Sequence, residues 1–534
     1  MIPPRFSGAI KTFLSDRFVT VGIIVLSIAA RSLQLLYLFN IRVDMSFQMI
    51  ATQNLVNGNG VSLSRAMPAD LSRTVYEPLV NWPPGFSFLL APVYWLAGCD
   101  YAVSGILLQL VAAIMLIFYS RGILQLLELP VYLVNLYSLL TTFFIYSFYT
   151  TISSDAIAVS FFIMATYYAI GIVKSHHRFY AKTGMMFLAL LVCASLKYLF
   201  IPVVCVVPLF FIVRGMAIRS RKEFRLGWIG GLLLLAVVAA ILLYQKQVSG
   251  SAVYISAPQR GIFVLNLLDF YPYLPASLIK PETLQELTGF NVLLLYQVVH
   301  VSTAAMLVAW IVWMLYRYRV RNFLPHQNFI WISFLSAFLL TGLLMALSLA
   351  VAKEVWEDRL WTYVQEARYY GVVVVMIQLG LFVYYRYGKA KKYLLIFLLI
   401  MSVESLRGLY FSANRVMKWN SEEYSWQYEQ RFQEYAHSLI EKAGVEWGNP
   451  KSVVTGSVYY MNNRIALDSR IPVLNEVGSI NHIASLNTKE PVSLLVVLHQ
   501  RHINSYQPFL STHGHAFAGK FDEFYFYTVY VKPH

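Results

Sequence analysis

Apolar segments near membrane-spanning length recur about eleven times along this chain, and the connections between them alternate in charge. A helix needs roughly 20 apolar residues to cross about 30 Å of hydrocarbon. Lipid offers no water to unsatisfied backbone groups, so a spanning segment must be a helix or part of a closed barrel. Runs this long, without strict alternation, predict helices. We expect them at about 19–39, 101–119, 130–149, 156–173, 183–198, 200–213, 226–244, 292–316, 328–350, 370–385 and 393–411. Only 13% of the residues are charged, against about 25% in soluble domains. The chain reads as a polytopic, mainly α membrane bundle.

The charges orient the bundle. Basic residues crowd alternate connections: Arg5, Lys11 and Arg17 before the first segment, then Arg121, then Lys174, Arg178 and Lys182. Arg214, Arg219, Arg221, Lys222 and Arg225 follow, then Arg317, Arg319 and Arg321, and finally Arg386, Lys389, Lys391 and Lys392. The other connections hold most of the acids, among them Asp44, Asp70, Glu77, Asp100, Asp155, Glu354, Asp358 and Glu366. Short basic loops stay in the cytoplasm, so the N-terminus is expected inside and the acidic loops outside. The same retention accounts for the net charge of +15 and excludes nucleic acid as a partner. The first apolar run follows a basic stretch and continues to spanning length, which reads as an uncleaved signal-anchor. Cys99, Cys193 and Cys205 form no metal or disulfide spacing.

Two parts follow. Residues 1–411 form the membrane region, with a long first external loop at about 40–100; residues 412–534, where hydropathy collapses, predict a small external α+β domain. In that domain Glu422–Lys442 is expected to be helical, and Ser452–Val458, Val492–Leu498 and Glu523–Val531 to be strands. A loop of about 60 residues between otherwise short connections is usually functional. It holds a helical piece from Asp44 to Asn57, a turn at Gly58-Asn59-Gly60, and an apolar piece from Pro84 to Gly98 too short to span. Trp82-Pro83-Pro84-Gly85 opens that piece; proline favours a helix start, and Trp82, Phe86, Phe88, Tyr94 and Trp95 suit the headgroup region. We expect a helix lying along the outer surface.

Asp44-Met45-Ser46-Phe47-Gln48, then Asn54 to Gly60, then Trp82-Pro83-Pro84-Gly85-Phe86, then Ser153-Ser154-Asp155, resemble the motifs of integral-membrane glycosyltransferases with the GT-C fold. The similar subgroup is bacterial: protein O-mannosyltransferases and the aminoarabinose transferase that modifies lipid A. The resemblance covers roughly residues 15–215 and extends weakly to Glu366-Ala367-Arg368-Tyr369. Many relatives carry Asp-Glu where this chain has Asp44-Met45, and tyrosine at the place of Gln48. The missing second acid makes a metal cluster less expected.

The resemblance implies an inverting transfer of a sugar from a polyprenyl phosphate to an acceptor hydroxyl, on a lipid, glycan or protein, at the outer face of the inner membrane. A carboxylate must take the hydroxyl proton, and cations must hold the departing phosphate. It implies Asp44 as base, against the plainer reading of a loop acid or helix cap. Asp155 is its second catalytic acid, supporting the base or holding the acceptor or a metal, or else a plain helix cap. Lys197, at an outer turn between apolar segments, is a phosphate ligand or a snorkelling lysine. Arg368 matches the family's basic residue, and Arg42 and Arg260 are weaker phosphate-binding candidates. Trp82, Tyr254 and Tyr271 are expected to line the substrate loops. No cofactor is required by this chemistry; a divalent metal is left open. A lipid-linked oligosaccharide flippase or transporter, or an O-antigen ligase or polymerase, is the alternative.

Overall fold

The computed structural model describes residues 11–37, 41, 43–80, 82–146, 148–149, 152–175, 177–249, 278, 289, 324–350, 354–356, 359–361, 367–388, 391–417, 426–457, 459–474 and 486–533. They fall into two compact units. One comprises Met1–Leu35 and Gln109–Met417; the other joins Leu36–Leu108 to Lys418–His534.

Among the described residues nine helices are long and apolar enough to cross a membrane, including Arg17–Leu36, Tyr101–Leu126, Ser154–Lys174, Phe179–Leu196 and Arg368–Tyr387. The expected 292–316 helix lies outside the described residues. The expected 130–149 segment is different: its helix is Val131–Thr142, 12 residues, a rise of about 18 Å. Its terminal carbonyls are taken by side chains rather than by another turn. Arg31 donates to Thr141 O and Ser405 to Leu140 O. Beyond it the rings of Phe144, Tyr146, Phe148 and Tyr149 pack on one another. Arg31 itself is 4% exposed. It bonds Gln34 at 2.6 Å and lies 5.1 and 5.3 Å from the Tyr146 and Tyr149 ring centres, so among the described residues rings and carbonyls accommodate it.

In the second unit, helix Val43–Val56 follows Ile41 and ends at Gly58 and Gly60, whose φ of +81° and +71° suit the turn. Strands β1 (Ser62–Met67) and β2 (Asp70–Pro78) then form an antiparallel hairpin, and helix Gly85–Leu96 follows. That helix buries Phe86, Leu90 and Tyr94, spaced one turn apart, while Phe88, Trp95 and Leu96 are exposed. Strands β3 (Glu354–Trp356) and β4 (Arg359–Trp361) are a short hairpin of the first unit.

The tail supplies helix Trp426–Glu446 and a four-stranded sheet: β5 (Lys451–Gly456), β6 (Val492–His499), β7 (His515–Phe521) and β8 (Phe524–Val531), in the order β5-β6-β8-β7. Only β5 and β6 run parallel. Strand β6 is buried on both faces, which is why it reads as one continuous apolar run. Val492, Leu494, Val496 and Leu498 meet Tyr506, Phe509 and Leu510 of helix Ile503–His513; Leu495 and Val497 meet Phe432, Ala436 and Leu439 of Trp426–Glu446. Ala66 and Leu71 of the first hairpin join the former core. Val473 bridges Arg65 of β1 and Val454 of β5, so the hairpin and the tail sheet are laced together.

Candidate functional site

Helix Ser154–Lys174 begins with an extended Ser153, whose hydroxyl bonds Phe148 O at 3.1 Å instead of capping the helix. Asp155 therefore sits in the first turn, where the helix dipole favours a carboxylate, and it is fully buried. Helix Phe179–Leu196 stops at Lys197, which turns extended (φ −161°, ψ 135°) before the 3-10 turn Tyr198–Phe200. The lysine Nζ reaches both Asp155 carboxylate oxygens, at 2.9 and 3.0 Å. A second 3-10 turn, Ala367–Tyr370, carries Arg368, whose Nη1 is 3.7 Å from Asp155 Oδ2.

One ring lies beneath both cations. Tyr369 has Lys197 Nζ 4.3 Å and Arg368 Cζ 5.3 Å from its ring centre, within cation–π range. Gly371 permits the close seating of this turn: a Cβ there would stand 2.5 Å from the Phe148 ring and 2.9 Å from Val159. The side chains of Lys197, Arg368 and Asp155 are 10%, 6% and 1% exposed. Charges this buried persist where they are paired. Of these three groups two are cations and one is a carboxylate.

The candidates read from the sequence are thus distributed unevenly. Asp155, Lys197 and Arg368 come together in the helical unit, with the Tyr369 ring against both cations. A 42-residue separation between Asp155 and Lys197 leaves no local signal of their pairing. Asp44 and Trp82 belong to the second unit. Asp44 stands in the first turn of Val43–Val56 and is half-buried. Trp82 stacks on Phe47 of that helix, ring centres 5.6 Å apart, and Ser87 bonds Gln48 O at 3.2 Å. Arg42, Arg260, Tyr254 and Tyr271 lie outside the described residues. Among the described residues no three His, Cys, Asp or Glu side chains gather as a metal site, and Lys197 engages both oxygens of Asp155.

No family model and no curated protein matches this sequence. Solved structures similar to it include ArnT from Cupriavidus metallidurans bound to undecaprenyl phosphate, and ArnT from the same source in the apo state. The first is 11% identical with a TM-score of 0.48, covering 95% of this chain and 97% of that one. The second is 12% identical with a TM-score of 0.47, covering 95% and 98%.

Proposed function

We propose that this chain transfers a sugar from a polyprenyl phosphate to an acceptor hydroxyl at the outer face of the membrane. The observation that carries the reading is the buried Asp155 carboxylate with Lys197 and Arg368 gathered on it. Such a buried charged cluster at the ends of apolar helices is costly and usually functional, and a lysine and an arginine side by side suit a phosphate. Asp155 keeps the two cations in place and makes their burial tolerable. Lys197 and Arg368 bind the donor phosphate and stabilise the charge it gains.

Asp44 is the base. The acceptor oxygen attacks the anomeric carbon, the bond from that carbon to the phosphate oxygen breaks, and its electron pair leaves with the phosphate. The hydroxyl proton passes to the Asp44 carboxylate. Attack opposite the leaving group inverts the anomeric centre. No step is routed through a metal.

Mass spectrometry of envelope glycolipids and glycoproteins from a deletion strain and its parent tests the reading. One sugar increment should be missing from a lipid, a glycan or a protein. Unchanged products with a lipid-linked donor stranded on one side of the membrane would favour the flippase instead. The purified protein, given undecaprenyl-phosphate-linked sugar, should release undecaprenyl phosphate only when acceptor is present.

A further inference from the structure

Within the second unit, a five-residue stretch of the tail holds the helix that carries Asp44 at two points. Arg464, on helix Tyr459–Ala466, donates through Nη2 to the carbonyl of Ile41, three residues before Asp44. Its Nη1 pairs with Glu429 of helix Trp426–Glu446 at 2.8 Å, so the guanidinium is neutralised where it is buried. Just beyond, Asp468 adopts a left-handed φ of +59°. Its N–H donates to the Gln53 side chain, on the same helix as Asp44, at 2.8 Å. Its carboxylate accepts from Tyr94 of helix Gly85–Leu96 at 2.7 Å and from the backbone N–H of Tyr101 at 3.1 Å.

These contacts matter because Val43–Val56 is only 14 residues long. A helix of about that length is marginal alone and takes its order from packing. Ile41, Gln53 and Tyr94 are all nearly or fully buried, although Asp468 itself is exposed, so losing a link leaves its buried partner poorly satisfied. We propose that Arg464 and Asp468 are positioning residues that fix the Asp44 helix, making the tail a working part of the transfer reaction. This rests on Asp44 as the base.

The test compares full-length wild type with Asp468→Ala and with the pair Glu429→Gln and Arg464→Gln, which leaves no buried ion alone. The readouts are kcat, donor KM, and hydrogen exchange of amides 43–56, with β6 and β8 as internal controls. We expect kcat to fall about 10–100-fold, the loss that misplacement by about an ångström can cause, with donor KM changed less than about threefold. Exchange over 43–56 should rise while β6 and β8 stay protected. Asp468→Asn tolerates the left-handed backbone and keeps one acceptor, so it should recover most of the kcat.

Unchanged exchange over 43–56 in both variants overturns the proposal, as does raised exchange there with near wild-type kcat. Exchange rising equally in β6 and β8, with no recovery in Asp468→Asn, would reduce the tail to a folding role and also overturn it. Full activity of Asp44→Asn would fail the reading of the base instead, and the exchange comparison would still decide whether Arg464 and Asp468 hold the helix.

Discussion

The two units bury polar groups by opposite means. In the helical unit each spanning segment closes its own backbone bonds, so only isolated side chains need partners. Those partners come from other helices: Lys197 and Arg368 on Asp155, and Arg31 on Thr141 O and two tyrosine rings. In the second unit the backbone itself needs distant partners, and the first loop and the tail lace their strands through Val473. One unit is therefore assembled from self-sufficient pieces joined by a few charges. The other exists only when two remote parts of the chain meet.

If chemistry is divided between these styles, the largest loss belongs to Asp44→Asn. Asparagine is nearly as good near a helix start but is no base at neutral pH. Turnover should fall about 10²–10⁴-fold while the midpoint of thermal unfolding is retained. Activity within a few-fold of wild type would assign Asp44 to helix stability and break the division. Next comes Lys197→Gln, which leaves the buried Asp155 charge with Arg368, 3.7 Å away, as its cation. In thermal unfolding it should destabilise by less than the roughly 3–5 kcal/mol of a fully broken buried pair; a double variant with Asp155→Asn removes both charges of the closer pair. Donor use should stay weak in the double variant, because the phosphate ligand is still missing. A double variant with normal donor KM would make the cluster purely structural.

Gly371→Ala probes the same cluster from its backbone. The new methyl would press on Phe148 and Val159, at about 1–3 kcal/mol for overpacking, and should carry Arg368 away from Asp155. We expect donor KM to rise more than kcat falls. The reverse split would mean that Arg368 acts elsewhere than on the donor.

Legibility followed the same divide. Most of the spanning helices were visible because hydropathy over about 20 residues is a local property. The 130–149 segment misled because its composition is apolar to Tyr149, whereas cross-helix bonds to Leu140 O and Thr141 O end its helix early. Strands β6 and β8 were visible as apolar runs. The β1–β2 hairpin was not, since Leu63, Ala66 and Leu71 give it little apolar contrast. Lys197 and Arg368 stood out singly as charges beside apolar helices, but their meeting at Asp155 is a long-range event. So is the bond of Asp468 to Tyr94, which are 374 residues apart.

The smallest effect is the pH response of that joint. Burial pushes the Asp468 carboxyl up from 3.8 to about 6, against the hydrogen bonds from Tyr94 and Tyr101 that favour its ionised form, while nearby Asp100 pushes the same way as burial. A raised carboxyl favours the folded state fully below the unfolded value near 3.8. That contribution is lost as pH climbs through about 6. The residue as a whole is exposed and only its carboxyl is enclosed by the Tyr94 and Tyr101 contacts, so solvent screening should hold the change to about 1 kcal/mol or less. Thermal unfolding of wild type and Asp468→Asn, compared at about pH 4.5, 6 and 7.5 to bracket the raised value, isolates it. Wild type should lose ground to the asparagine variant as pH rises across that window. Parallel profiles would show that Asp468 does not titrate there and that its hydrogen bonds to the first loop work in one protonation state throughout.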